Sequence, residues 1–277
     1  MAELLKGKRG LITGIANNRS IAWGIAEAMK AEGAELAFGV QMDVFGEKVK
    51  PLAAGLGVDL VLDYNVQDDA STQAAFDTLA EQWGSIDFAV HAIAYSDKNE
   101  LTGRFINTSR ENFKNSLEIS AYSFIDMAKK AEPLMKGGGT LITLTYQGSH
   151  KATPWYNVMG VAKAALESAV IYLANDLGPQ KIRVNAISPG PMKTLSGAAI
   201  GGARKTFRFT EANAPLRANA TPLLYSPYPA HDLLLFNLRG RRFFKKKKIY
   251  IMPFYLFLIL LHLNSPITPI HITTQHT

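Results

Sequence analysis

Short apolar runs, set between longer stretches of helical period, organise most of the chain. Residues 9–14 (RGLITG) read as a strand entering a turn, and 20–33 as a helix with Ser20 at its N-cap and Gly33 as its terminator. Residues 34–40, 58–62, 86–94, 140–145 and 182–188 give five further apolar strands. Helical periodicity covers about 70–83, 111–134 and 157–178, and the glycines at 137–139 turn the chain between the second of these and its strand.

Strands alternate with helices, and the strands are continuous apolar runs rather than one-sided alternations. Strands buried on both faces belong to a parallel sheet with helices on either side. The expected fold class is therefore α/β, a doubly wound parallel sheet with ligands at the carboxyl ends of its strands. The alternation stops near residue 220. Beyond it come a turn-rich stretch, the basic run RGRRFFKKKK, an apolar run at 249–263 interrupted by Pro253, and a Pro- and Thr-rich end. Residues 1–220 read as one domain and 221–277 as an atypical basic and apolar tail.

Composition changes this picture little. The chain has 277 residues and is 47% hydrophobic and 19% charged, enough for one sizeable core. With no cysteine, disulfides and thiolate metal sites are excluded, and no metal is expected. The N-terminus lacks a signal-like apolar stretch, which points to the cytoplasm. The net charge of +7 lies almost wholly in the tail, at Arg239, Arg241, Arg242 and Lys245 to Lys248. The body is nearly neutral, so no nucleic-acid face is expected. The apolar run at 249–263 is too short to span a bilayer, since fifteen helical residues reach only about 22 Å of a core roughly 30 Å thick. A superficial membrane contact is the most it suggests.

Candidate chemistry sits at strand ends. After the first strand, Thr13-Gly14 leads through a five-residue loop to Ser20-Ile21-Ala22 at a helix start, small residues where backbone would approach a pyrophosphate. The second strand ends at Gln41, a neutral amide able to bond ribose hydroxyls with no arginine beside it for a 2′-phosphate, which favours NADH over NADPH. Tyr156 and Lys163 stand seven residues apart, about two helical turns, so they are expected on one face at the start of a helix. An ammonium near a phenol is expected to lower the phenol's pKa and make it a proton donor near neutrality.

The string TYQGSHKATPWYNVMGVAKAALESA (145–169) resembles the enoyl-acyl-carrier-protein reductases, a divergent branch of the short-chain dehydrogenase/reductases with a Rossmann-like fold. Six residues separate the paired Tyr and Lys in that branch, as here, and a further Tyr stands upstream, as at Tyr146. The long Gly14–Ser20 loop, HAIAYSDKNEL (91–101), RVNAISPGPMKTL (183–195) and NAPLR (213–217) resemble the same branch, over residues 5–219 in all. The resemblance implies reduction by NADH of a trans-2-enoyl thioester on acyl carrier protein in fatty-acid biosynthesis. It implies that Tyr156 stabilises or protonates the enolate, Lys163 holds the nicotinamide ribose, and Tyr146 lines the acyl pocket. It assigns Gly14, Ser20, Ile21, Gln41, Asn65, Val66, Ile93, Met192 and Thr194 to the cofactor and Ser96 to the substrate entrance. Residues about 195–211 match a mobile substrate-binding loop, and the assembly implied is a homotetramer.

The chain departs from the pattern at Gly39-Val40, where Thr-Tyr is usual, at Asn65, where Asp is usual, and at Tyr95, where Phe is usual. The larger departure is the tail. The family continues with a helix, a last parallel strand and an Asp-x-Gly turn. Residues 221–277 hold a single acid, Asp232, and no such pattern, which reads as a shifted reading frame or a mistaken gene end. The last strand is then missing, with 231–237 (HDLLLFN) as the one replacement. An inactive or cofactor-binding remnant, and a carbonyl-reducing dehydrogenase, are the alternative readings.

Overall fold

The computed structural model describes residues 3–195, 197, 200, 202–214, 217, 219 and 272–273. Its strands are β1 (Arg9–Thr13), β2 (Glu35–Val40), β3 (Leu60–Asp63), β4 (Phe88–His91), β5 (Gly139–Leu144) and β6 (Ile182–Ser188), closed by a two-residue β7 (Ile272–Thr273). All pair in parallel, in the order β3-β2-β1-β4-β5-β6-β7. The six sequence-predicted strands are all present, within two or three residues of their expected ends.

The helices are α1 (Ile21–Ala31), α2 (Met42–Gly55), α3 (Asp69–Trp83), α4 (Arg110–Leu117), α5 (Ser123–Ala131), α6 (Val158–Leu177) and α7 (Ala203–Asn213). Two apolar clusters fill the two faces of the sheet. One joins α1 and α2 to the strands through Ile25, Met29, Phe38, Val49 and Phe88. The other joins α3, α5 and α6 through Phe76, Leu79, Phe124, Met127 and Leu166. A sheet sandwiched in this way needs strands apolar on both sides, which is why β1, β4 and β5 are buried at nearly every position. α6, with its short extension to Gln180, is apolar enough to cross a membrane by length and composition. It is instead a core helix, its Lys163, Leu166 and Val170 buried.

Local signals explain most boundaries. Asp68 caps α3 by accepting from Ala70 N at 2.9 Å, and Gly84 ends it in the left-handed region at φ +71°. Ser109 caps α4 by accepting from Asn112 N at 3.1 Å. α2 is absent from the sequence expectations because Gly46, Pro51 and Gly55 interrupt its pattern; its Val49 and Ala53 are nonetheless fully buried. The helix expected over 111–134 is broken by a π-turn at Glu118–Tyr122 between α4 and α5. The turn brings Ser120 to the chain after β4: its Oγ accepts from Tyr95 N at 3.0 Å and donates to Tyr95 O at 3.2 Å.

Beyond β6 the described residues add only a two-residue pairing to the sheet. Ile272 and Thr273 pair with Ile187 and Ser188 at the β6 edge. A two-residue pairing carries no readable period, so the pattern pointed instead to 231–237, which lies outside the described residues, as does the apolar run at 249–263.

Candidate active site

β1 lies between β2 and β4, and the chain leaves it in opposite directions on the two sides. The loops after β1 and β4 therefore diverge and leave a crevice at their carboxyl ends. Gly14 opens the first loop at φ +85°, and a Cβ there would overlap the Ala92 carbonyl oxygen after β4. Only glycine allows that turn and that approach together. Ser20 is at the N-cap position of α1 as expected, but its hydroxyl does not cap. It turns back into the loop and accepts from Ala16 N at 3.0 Å and Asn17 N at 3.1 Å. The first turn of α1 thus has no side-chain cap and no acidic residue, and Ile21 begins it half-buried. A helix start with unclaimed N–H groups at the crevice suits a pyrophosphate, so this loop fits a dinucleotide.

The neighbouring strand ends carry the residues expected at the adenosine ribose. Gln41 is half-buried at the start of α2, where Met42 N donates to Asp63 Oδ1 at 3.0 Å. A Cβ on Gly39 would lie 2.8 Å from Thr13 Cγ2 and 3.1 Å from Tyr64, so the buried Tyr64 ring fills the space a side chain would take. Asn65 and Val66 follow β3 and are half-buried. Asn65 Oδ1 accepts from Gln67 N at 3.1 Å, and its backbone N–H donates to Ser71 Oγ at 3.0 Å. Ile93, two residues past β4, packs against the second apolar cluster.

Tyr146 and Tyr156 come together beyond β5, and Lys163 is anchored at the end of the same strand. The two tyrosine rings meet edge to face with centroids 5.0 Å apart, packed with Leu101 and Met159. Lys163 is buried on α6, and its Nζ donates to Leu144 O at 2.7 Å. Tyr156 is not on the helix. It occupies the turn before α6, between Trp155 at φ +60° and Asn157 at φ +39°. Asn157 is held there by Nδ2 donating to Glu100 O at 3.1 Å. Two non-glycine residues in the left-handed region on either side of one tyrosine are strained backbone at the centre of the site.

The electrostatics correct one expectation. Tyr156 is not lowered toward neutrality; burial, Tyr146 and Glu167 all push its pKa up. The lysine is the group that moves. Burial brings Lys163 down to about 8, with Glu167 opposing the fall. The ammonium is tied to a backbone carbonyl, while the phenol loses solvent on every side.

The third wall is the chain after β6. Met192 is buried in the first apolar cluster, and Thr194 turns the chain, its Oγ1 accepting from Gly197 N at 3.0 Å. The expected substrate loop contains α7, whose N-terminal Gly202 lies against the Trp155 ring with Lys205 Nζ 5.3 Å from the ring centre. Ser96 sits at the opposite rim, its Oγ donating to Asn112 Oδ1 at 3.2 Å.

Two buried residues of the site escaped the sequence reading. Glu167 accepts from Thr145 Oγ1 at 2.5 Å and Ser149 Oγ at 2.6 Å, and its second oxygen lies 2.6 Å from His150 Nε2. A lone acid four residues after Lys163, in an otherwise apolar helical stretch, was the available signal. His91 is fully buried between Thr143 Oγ1 (2.9 Å) and Ser123 Oγ (2.8 Å), and burial with the nearby Lys163 charge holds its pKa at about 3. One histidine in an apolar strand carries no comparable signal. Among the described residues no group of His, Asp and Glu side chains could hold a metal ion.

The comparisons with known proteins agree with this geometry. A family profile described as Enoyl-(Acyl carrier protein) reductase matches residues 14–223. NADH-dependent enoyl-acyl-carrier-protein reductase 2 of Rhizobium meliloti is 53% identical over 221 residues, 80% of this chain and 82% of that protein. The crystal structure of the Anaplasma phagocytophilum reductase in complex with NAD superposes with a TM-score of 0.77 at 52% identity, covering 80% of this chain and 85% of that one. The NADH-dependent reductase of Aquifex aeolicus gives a TM-score of 0.77 at 46% identity, covering 79% and 86%. With the crevice, the tyrosine pair and the buried lysine in place, the chain belongs to the enoyl-acyl-carrier-protein reductase family.

Proposed function

We propose that this chain reduces the trans-2 double bond of enoyl thioesters carried by acyl carrier protein, with NADH as reductant, in fatty-acid biosynthesis. The observation that carries the reading is the packing of Tyr146 on Tyr156 at 5.0 Å, beyond the carboxyl end of β5 where Lys163 is buried. NADH, when bound, supplies hydride to the β-carbon of the enoyl group.

As hydride arrives, negative charge grows on the thioester oxygen. Tyr156 is buried and keeps its proton far above neutral pH, so it meets that oxygen as an O–H donor and stabilises or protonates the enolate. The strained turn around it fixes the direction of that donor in advance. Lys163 carries three N–H donors, so its bond to Leu144 O leaves capacity for the nicotinamide ribose hydroxyls. Tyr146 walls the acyl side and excludes water from the enolate. Gly14, Ser20 and Ile21 take the pyrophosphate, and Gln41, Asn65, Val66 and Ile93 the adenosine half. Met192 and Thr194 take the nicotinamide side, and Ser96 marks the substrate entrance.

The reductase unit is assigned to residues 1–220, with 221–277 an atypical tail. Acyl carrier protein is the partner, the cytoplasm the place of reaction, and a homotetramer the assembly. The test is NADH consumption with a short trans-2-enoyl thioester, beside a Tyr156→Phe variant and a 3-ketoacyl thioester. Enoyl-dependent turnover that collapses in the variant supports the proposal. Turnover of the 3-ketoacyl thioester alone would replace it with a carbonyl-reducing activity. No turnover by a cooperatively folded, NADH-binding protein would leave a cofactor-binding chain without the chemistry.

A further inference from the structure

Lys163 and Glu167 are four residues apart on α6, hence on one face of the helix, and both are buried. A buried carboxylate needs partners for its oxygens, and Glu167 finds them outside its own helix. Thr145 Oγ1 and Ser149 Oγ both donate to Oε1, at 2.5 and 2.6 Å. His150 Nε2 lies 2.6 Å from Oε2, with the imidazole itself 61% exposed. These partners bracket Tyr146. Thr145 precedes it just past β5, and Ser149 follows it in a short 3-10 turn, with its hydroxyl oxygen also 3.0 Å from Tyr146 O.

We propose that Glu167 is a positioning residue of the reductase site: it ties the 145–150 segment that carries Tyr146 down onto α6, and it keeps a compensating negative charge one helical turn from Lys163. The first part follows from three contacts that converge on one carboxylate from both sides of Tyr146. The second follows from the burial of both charges. An isolated ammonium in the core is strongly disfavoured, and a carboxylate one turn away makes the charged form tolerable. The other groups facing this pair are His91 from β4, which is neutral and fully buried, and the Tyr146 and Tyr156 phenols from the loop. Neither His91 nor Tyr156 supplies a negative charge at neutral pH, and among the described residues Glu167 is the acid that acts on Lys163. This inference rests on Lys163 acting at the nicotinamide ribose as proposed above.

The sign of the effect is fixed. Lys163 is charged below its folded-state pKa, and Glu167 raises that pKa. Removing the carboxylate charge therefore moves the loss of the ammonium to lower pH. The test is the pH dependence of NADH affinity, read by fluorescence, and of enoyl thioester turnover, for the full chain and its Glu167→Gln variant. The alkaline midpoint of both profiles is expected to fall by at least about one pH unit in the variant. An unmoved midpoint in a folded variant overturns the proposal, because a merely structural role would lower activity without moving it. NADH binding reads the midpoint even if the wild type turns over no enoyl thioester, so failure of the proposed activity and failure of this inference are separable. Should Glu167→Gln not fold, Thr145→Val provides the same reading in reverse. It removes the 2.5 Å donor that offsets the carboxylate, and the midpoint is expected to rise; no movement there also overturns the proposal.

Discussion

The Trp155 ring occupies the space that a side chain on Gly202 would need, so the start of α7 rests directly on the residue before Tyr156. Lys205, one turn along α7, brings its ammonium to 5.3 Å from the same ring. The segment expected to bind substrate is thereby seated on the strained turn around Tyr156. Gly202→Ala is expected to push the two apart and raise KM for the enoyl thioester on the order of tenfold, the equivalent of about 1.4 kcal/mol of overpacking. NADH affinity, measured in the same preparation by fluorescence, is expected to change less.

Tyr156→Phe removes the O–H proposed to meet the thioester oxygen and leaves the ring in place. The expected loss in kcat is on the order of 100- to 1000-fold, as for deletion of one oxyanion donor. NADH affinity should stay near that of the wild type, since the ring contact with Tyr146 survives. Steady-state kinetics with a short trans-2-enoyl thioester check both.

Gly14→Ala places a Cβ against the Ala92 carbonyl and requires a non-glycine residue at φ +85°. The expected destabilisation is at least about 2 kcal/mol, because steric overlap adds to backbone strain. Thermal melts with and without NADH should show a lowered Tm and a reduced stabilisation by the cofactor.

His91 titrates at about 3 in the folded chain, against 6.5 for a free side chain. Below pH 6.5 the unfolded chain binds a proton that the folded chain refuses. Stability from this group is therefore complete above about pH 6.5 and is lost as pH falls toward 3, by roughly 4 kcal/mol over the window. Urea midpoints measured between pH 7 and 4 should fall more steeply for the wild type than for His91→Gln.

Lys163 has the same sign in a higher window. Its folded-state pKa of about 8 lies below the 10.5 of a free lysine. Between those values the unfolded chain holds the proton and the folded chain does not, so stability rises with pH there. Lys163→Met removes the buried charge, and its stability advantage over the wild type is expected to be largest below about pH 8. That advantage should shrink by roughly 2–4 kcal/mol toward pH 10.5, as seen in urea midpoints across that range.

The sequence by itself determined the layer architecture and pointed to candidate chemistry-bearing positions. Apolar runs alternating with helical periods leave few arrangements besides a covered parallel sheet, and the six expected strands all form. The tyrosine pair, the lysine and the Gly14 loop were legible through the resemblance of several motifs, in the right order, to one reductase branch; their spacing alone would not have singled them out. Tertiary structure decided what depends on contacts between distant segments. It places Tyr156 in a strained turn rather than on α6, because Asn157 is held by the Glu100 carbonyl 57 residues away. It gives Ser20's hydroxyl to the loop rather than to its helix, and it breaks the long helix at 118–122 so that Ser120 can reach Tyr95. It pairs Ile272 and Thr273 with the β6 edge, a pairing too short to leave any period. It also raises Tyr156 and lowers Lys163, since a pKa follows from burial and from the charges gathered around a group. Those are properties of the packed chain, and no spacing along the sequence encodes them.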